Sequence, residues 1–125
     1  MMDNLYIPPT KSSMEVHFDK DTGILEMKGA SYPENALDFF GPVNEWIRKY
    51  ISEINKPMIL NIYLNYLNTS STKCLLDIFE VFEQYHYSGG SLKINWYYAE
   101  DDEDIMETGQ ELAEDFDFPI EFIPY

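Results

Sequence analysis

Thr69, Ser70, Ser71 and Thr72 place four hydroxyls in a row, and Lys73 follows them directly. A serine or threonine hydroxyl can carry a phosphoryl group. A phosphate brings about −1.5 to −2 charges and three acceptor oxygens. It is best received where backbone N–H groups and a helix dipole point at it, at a helix start. The same residues have a plainer use, because Asn68, Thr69 and Ser70 are each suited to cap the helix that the following residues predict. One cap needs one side chain, so capping leaves most of the run unexplained.

Local charge favours the phosphate reading. Of the 125 residues, 23 are Asp or Glu and 8 are Lys or Arg, a net −15. Yet the 23 residues from Ile54 to Leu76 contain no carboxylate. A buried strand accounts for part of that gap. It does not account for a first helical turn with Lys73 and no acid, where acids are ordinarily favoured. The expectation is a helix start bare of carboxylates, where Asn68 precedes the helix, one of the hydroxyls of Thr69, Ser70, Ser71 and Thr72 could carry the phosphate, and Lys73 adds a point charge.

Other residues could do chemistry. Cys74, His17 and His86 are candidate nucleophile or base, but they are scattered in sequence and no paired nucleophile and base emerges. Cys74, just inside a helix, reads as a small core residue. The spacing Asp19, Asp21, Gly23 resembles a calcium loop that lacks its remaining ligands, so a hairpin turn is the expected form. The run Glu100 to Asp104 matches no organised metal loop and reads as a solvated helix start. No metal site and no cofactor is expected.

Those groups need elements to hold them. "MEVHF" (14–18) alternates, and "ILEMK" (24–28) follows after a turn at Gly23, giving an opening hairpin. Ala36, Phe39, Phe40, Val43, Ile47, Tyr50 and Ile51 recur at helical spacing. Pro33 fits the first turn of that helix, and Gly41-Pro42 is expected to kink or split it. "PMILNIYLNYL" is a strand with Met58, Leu60, Ile62, Leu64 and Tyr66 on its apolar face. Leu75, Ile78, Phe79 and Phe82 mark a second helix, ended by Gly89-Gly90. "SLKINWYYA" is a strand, the acidic run opens a third helix to about Phe116, and "PIEFI" closes as a strand. Helices between successive strands imply crossovers. The fold class is therefore α/β: one domain over residues 1–125, a mixed and mainly parallel sheet, an N-terminal hairpin and about three main helices.

Bulk properties set the partners. With 45% apolar and 16% aromatic residues the chain can build a core. No run approaches the ~20 apolar residues of a membrane span, and the first residues lack signal-peptide character, so a cytoplasmic location is expected. A charge of −15 repels nucleic acid and anionic membranes and favours a protein partner with a basic surface.

The blocks "SYPENALDFFGPVNEWI" and "YLNTSSTKCLLDIFEVFE", with the closing "FP", resemble the SiaC-type family of bacterial regulatory phosphoproteins. The likeness covers nearly the whole chain, and "SYPEN" and "LNTSS" are its most specific parts. It implies a domain like the STAS fold of anti-sigma-factor antagonists and phosphorylation of the threonine in "LNTSS", here Thr69. It further implies a cognate serine/threonine kinase, a metal-dependent phosphatase that reverses the modification, and a client signalling enzyme bound by the unphosphorylated form. The best understood client type is a diguanylate cyclase, which ties such proteins to cyclic di-guanylate signalling and biofilm formation. The expected function is a non-enzymatic phospho-switch with partner switching. Ser70 or Ser71 stands as an alternative acceptor. The competing readings are a constitutive adaptor and a small enzyme using Cys74 or a histidine.

Overall fold

The structure, a computed structural model, describes residues 2–125. Three strands come first: β1 (Leu5–Ile7), β2 (Glu15–Phe18) and β3 (Ile24–Ser31). Then helices and strands alternate: α1 (Ala36–Glu53), β4 (Met58–Leu67), α2 (Thr69–Tyr87), β5 (Leu92–Tyr98), α3 (Glu103–Ala113) and β6 (Ile120–Pro124). The six strands lie side by side in chain order. β1, β2 and β3 pair antiparallel, and β3 to β6 pair parallel. The α/β class, the mainly parallel sheet and the three helices agree with the sequence reading.

Each of the three crossovers advances by one strand in the same direction. With the usual right-handed sense, all three helices fall on one face of the sheet. Burial follows: Leu25, Met27, Leu60, Ile62, Ile94 and Trp96 are sealed beneath the helices. Their neighbours in sequence, such as Ile24, Lys28, Ile59 and Lys93, are exposed on the other face. Each large side chain fully buried this way contributes about 1.5–3 kcal/mol relative to exposure.

Several local expectations need correction. β1 went unforeseen, because three residues before Pro8-Pro9 are too few to show a period. α1 runs unbroken through Gly41 and Pro42, which both face solvent. The Asp38 carbonyl that loses an N–H partner is left where water can serve it, while Phe40, Val43, Trp46, Ile47 and Tyr50 hold the buried side together. Pro33 stands two residues before the cap Asn35, whose side chain accepts from the Asp38 N–H at 3.2 Å, so it belongs to the approach rather than the first turn. α3 stops at Ala113, and Phe116 instead turns its ring edge to Phe79.

The tip of β4 holds the most consequential departure. Gly29 pairs with Leu64 but Ala30 pairs with Tyr66, so Asn65 is an extra residue in β4. Beyond it the alternation reverses. Leu67 returns to the helix side, paired with Ser31, and Tyr66 turns to the open side, 53% exposed, instead of continuing the apolar face.

Candidate functional site: the start of helix α2

The bulged tip of β4 delivers the chain directly into α2. Asn68 is the cap, with its side chain accepting from the Ser71 N–H at 2.8 Å, and Thr69 is the first helical residue. Asn68 is tied back to the sheet, its own N–H donating to the Ser31 carbonyl at 2.9 Å. The turn carries no acidic residue of its own.

The four hydroxyls have separate positions. Ser71 is fully buried and shares a 2.7 Å hydrogen bond with the Ser31 hydroxyl, also fully buried. Thr72 is half-buried, and its hydroxyl donates to the Asn68 carbonyl at 2.9 Å. Thr69 and Ser70 are exposed, and among the described residues their hydroxyls have no hydrogen-bond partner. Two hydroxyls of the run therefore fasten the helix, and two stand free beside helix-start N–H groups.

Those two look into different grooves. Ser70 borders a groove of about 400 Å³ between α1 and α2, where Lys73, Cys74 and the strongly exposed Leu37 also lie. Thr69 borders a groove of about 370 Å³ whose far side is α3. Leu67, Leu76 and Leu112 contribute apolar surface there, and Glu111 and Asp115 contribute carboxylates. The first turn of α2 has no carboxylate, as expected from the sequence, but Glu111 of α3 and Asp115 just after it line the same groove in space. Nothing in the sequence pairs residues 69 and 111, because that juxtaposition arises from two crossovers.

The "SYPEN" segment belongs to the same site. Ser31 joins Ser71, Tyr32 meets Tyr66 edge to face at 5.7 Å, Glu34 borders the α1–α2 groove and Asn35 caps α1. Tyr32, Tyr66 and Leu37 leave large apolar surface exposed around the helix start. Reading the sequence singled out both blocks but did not connect them through Ser31.

The candidates for enzymatic chemistry are not brought together. His17 is exposed on the sheet face away from the helices, with its ring against the edge of Tyr6. His86 follows Cys74 by twelve residues on α2, about 18 Å along a helix. Burial pushes the Cys74 thiol up from its ordinary range, with Asp77 adding to the effect, so the thiolate is disfavoured. Asp102 caps α3 by accepting from the Ile105 N–H, consistent with a helix start at the acidic run. Gly23, with φ 72°, closes the Asp19–Gly23 turn by donating to the Asp19 carbonyl.

Together these features define an α/β protein with an addressable helix start. Comparison with known proteins makes the assignment specific. The profile of the SiaC family regulatory phosphoproteins matches residues 7–125. A Pseudomonas aeruginosa (strain UCBPP-PA14) protein is 37% identical over 119 residues, 95% of this chain and 94% of that one. Among solved structures, apo-SiaC from Pseudomonas aeruginosa superposes with a TM-score of 0.91 at 36% identity, covering 98% of this chain and 99% of its own. SiaC in the crystal structure of the diguanylate cyclase SiaD with its activator gives 0.93 at 36% identity, covering 97% and 99%. The chain belongs to the SiaC family of regulatory phosphoproteins.

Proposed function

We propose that this chain is a non-enzymatic phospho-switch, reversibly phosphorylated on Thr69, whose unphosphorylated form binds and regulates a diguanylate cyclase. The observation that carries the reading is the contrast within the hydroxyl run. Thr69 is exposed and unbonded at the first position of α2, while Ser71 and Thr72 are engaged in holding the helix. A kinase can reach Thr69 without opening the core. The relative described as an activator in complex with a diguanylate cyclase supports the client class.

The switch works through charge at a contact surface. A phosphate on Thr69 is received by the N–H groups of the helix start, so α2 keeps its place. Around the same helix start, Tyr32 and Tyr66 are exposed, and Leu37 is exposed in the neighbouring groove with Ser70, side chains of the type that anchors protein interfaces. A doubly charged group at their border disfavours docking through desolvation and repulsion. A cognate serine/threonine kinase and a metal-dependent phosphatase set the state. Ser70 is the second acceptor, favoured by its own exposure and by Lys73 in the groove it borders.

The test is the affinity of a SiaD-type diguanylate cyclase for the wild type, Thr69→Ala and Thr69-phosphorylated forms. We expect the first two to bind alike and the third to bind at least roughly tenfold more weakly, about 1.4 kcal/mol. Equal affinities for all three would remove the mechanism. Phosphopeptide mapping of protein from its native cell then separates Thr69 from Ser70.

A further inference from the structure

We propose that Glu111 of α3 and Asp115 in the turn that follows it are the groups that read a phosphate on Thr69, and that their repulsion loosens α3 from the sheet. This rests on the reading of Thr69 as the acceptor and adds the element that responds. Thr69, Glu111 and Asp115 border one groove of about 370 Å³. Among the described residues, no Lys, Arg or His borders it. Lys73 lines the groove between α1 and α2 with Ser70 and stands four residues after Thr69 on the same helix. A dianion installed on Thr69 therefore faces two like charges across the groove, with Lys73 beside it on its own helix.

Which side yields follows from how each is held. The phosphate is retained by the free N–H groups at the start of α2. α2 buries eight residues along its length, while α3 buries three: Ile105, Gly109 and Leu112. Gly109 packs so closely on the Trp96 indole that a Cβ there would stand 2.5 Å from the ring. The Trp96 Nε1–H donates to the Ile105 carbonyl at 3.0 Å. The short helix gives way first, and its displacement disturbs that indole bond.

Trp96 and Trp46 are the two tryptophans of the chain, so two indole N–H signals report on the two sides of the molecule. Trp46 donates instead to the Asp3 carbonyl, far from α3 in the strand order, and serves as the internal control. The experiment uses the full chain with phosphothreonine genetically encoded at position 69, labelled on tryptophan nitrogen, together with amide hydrogen exchange. We expect the Trp96 indole signal to shift and α3 amides to exchange at least roughly tenfold faster, with Trp46 unmoved. In Glu111→Gln/Asp115→Asn, whose substitutions are at exposed positions, the same phosphate should change α3 exchange less than about threefold.

An unchanged Trp96 signal and unchanged α3 exchange on phosphorylation would overturn the inference. So would a neutralised variant that responds as fully as the carboxylate form. Because the phosphate is encoded rather than added by a kinase, a phosphorylated chain that still binds the cyclase tightly refutes the proposed switch while leaving this response intact.

Discussion

The hydroxyl of Ser71 lies 2.7 Å from that of Ser31, forty residues earlier, and both side chains are wholly out of water. This one bond joins the tip of β3 to the first turn of α2. Removing one partner leaves a buried hydroxyl unsatisfied, which costs about 1–3 kcal/mol. Ser71→Ala and Ser31→Ala should each lower stability by that amount in denaturant titration. The double variant should lose clearly less than their sum, because it leaves neither group stranded. Strict additivity would show that the two hydroxyls do not depend on each other.

Thr69 should behave in the opposite way. Among the described residues its hydroxyl has no hydrogen-bond partner, and the residue is exposed, so Thr69→Ala should change stability by less than about 0.5 kcal/mol. Asn68→Ala, one residue earlier, removes the cap over the Ser71 N–H and should cost about 1 kcal/mol. Thermal melts of the two variants check the contrast. Equal losses would mean that capping is shared along the run.

Pro42 offers a gain. It occupies an interior position of α1 and faces water. Pro42→Ala restores an N–H to the Asp38 carbonyl and relieves the ring's clash with it, so stability should rise by about 1–3 kcal/mol. An unchanged melting temperature would show that the helix has already relaxed around the proline.

Tyr63 gives a pH dependence. Burial, together with the neighbouring Tyr97 hydroxyl, pushes its phenol up to about 12 from 10.0. The folded state thus holds the proton longer than the unfolded state does. Its contribution to stability is complete below the unfolded pKa and is lost as pH rises from about 10 through 12. The wild type should lose more stability across that window than Tyr63→Phe, as measured by chemical denaturation at each pH. Parallel losses would place the late-titrating phenol elsewhere.

What the sequence disclosed and what it hid divide along physical lines. The stripes in α1 and α2 and the alternation in β4 and β5 were legible because each is a local period imposed by one buried face. The turn at Gly23 and the capping role of the 68–72 region were legible because turn and cap chemistry is also local. Pro42 misled because a helix breaker is judged against neighbours along the chain, whereas the packed side of α1 decided the outcome. Tyr66 misled because one inserted residue leaves no mark in a list of apolar positions. Ser31, Glu111 and Asp115 could not be assigned to the site from sequence, since each joins it through a strand pairing or a crossover.

The extra residue Asn65 has an effect out of proportion to its size. Had β4 kept strict alternation to its end, Tyr66 would have turned toward the helices and Leu67 away from them. The chain would then have entered α2 rotated by half a turn, with Ser71 unable to find Ser31. One supernumerary peptide unit thus decides which hydroxyl is locked away as a rivet and which is left outside as a handle.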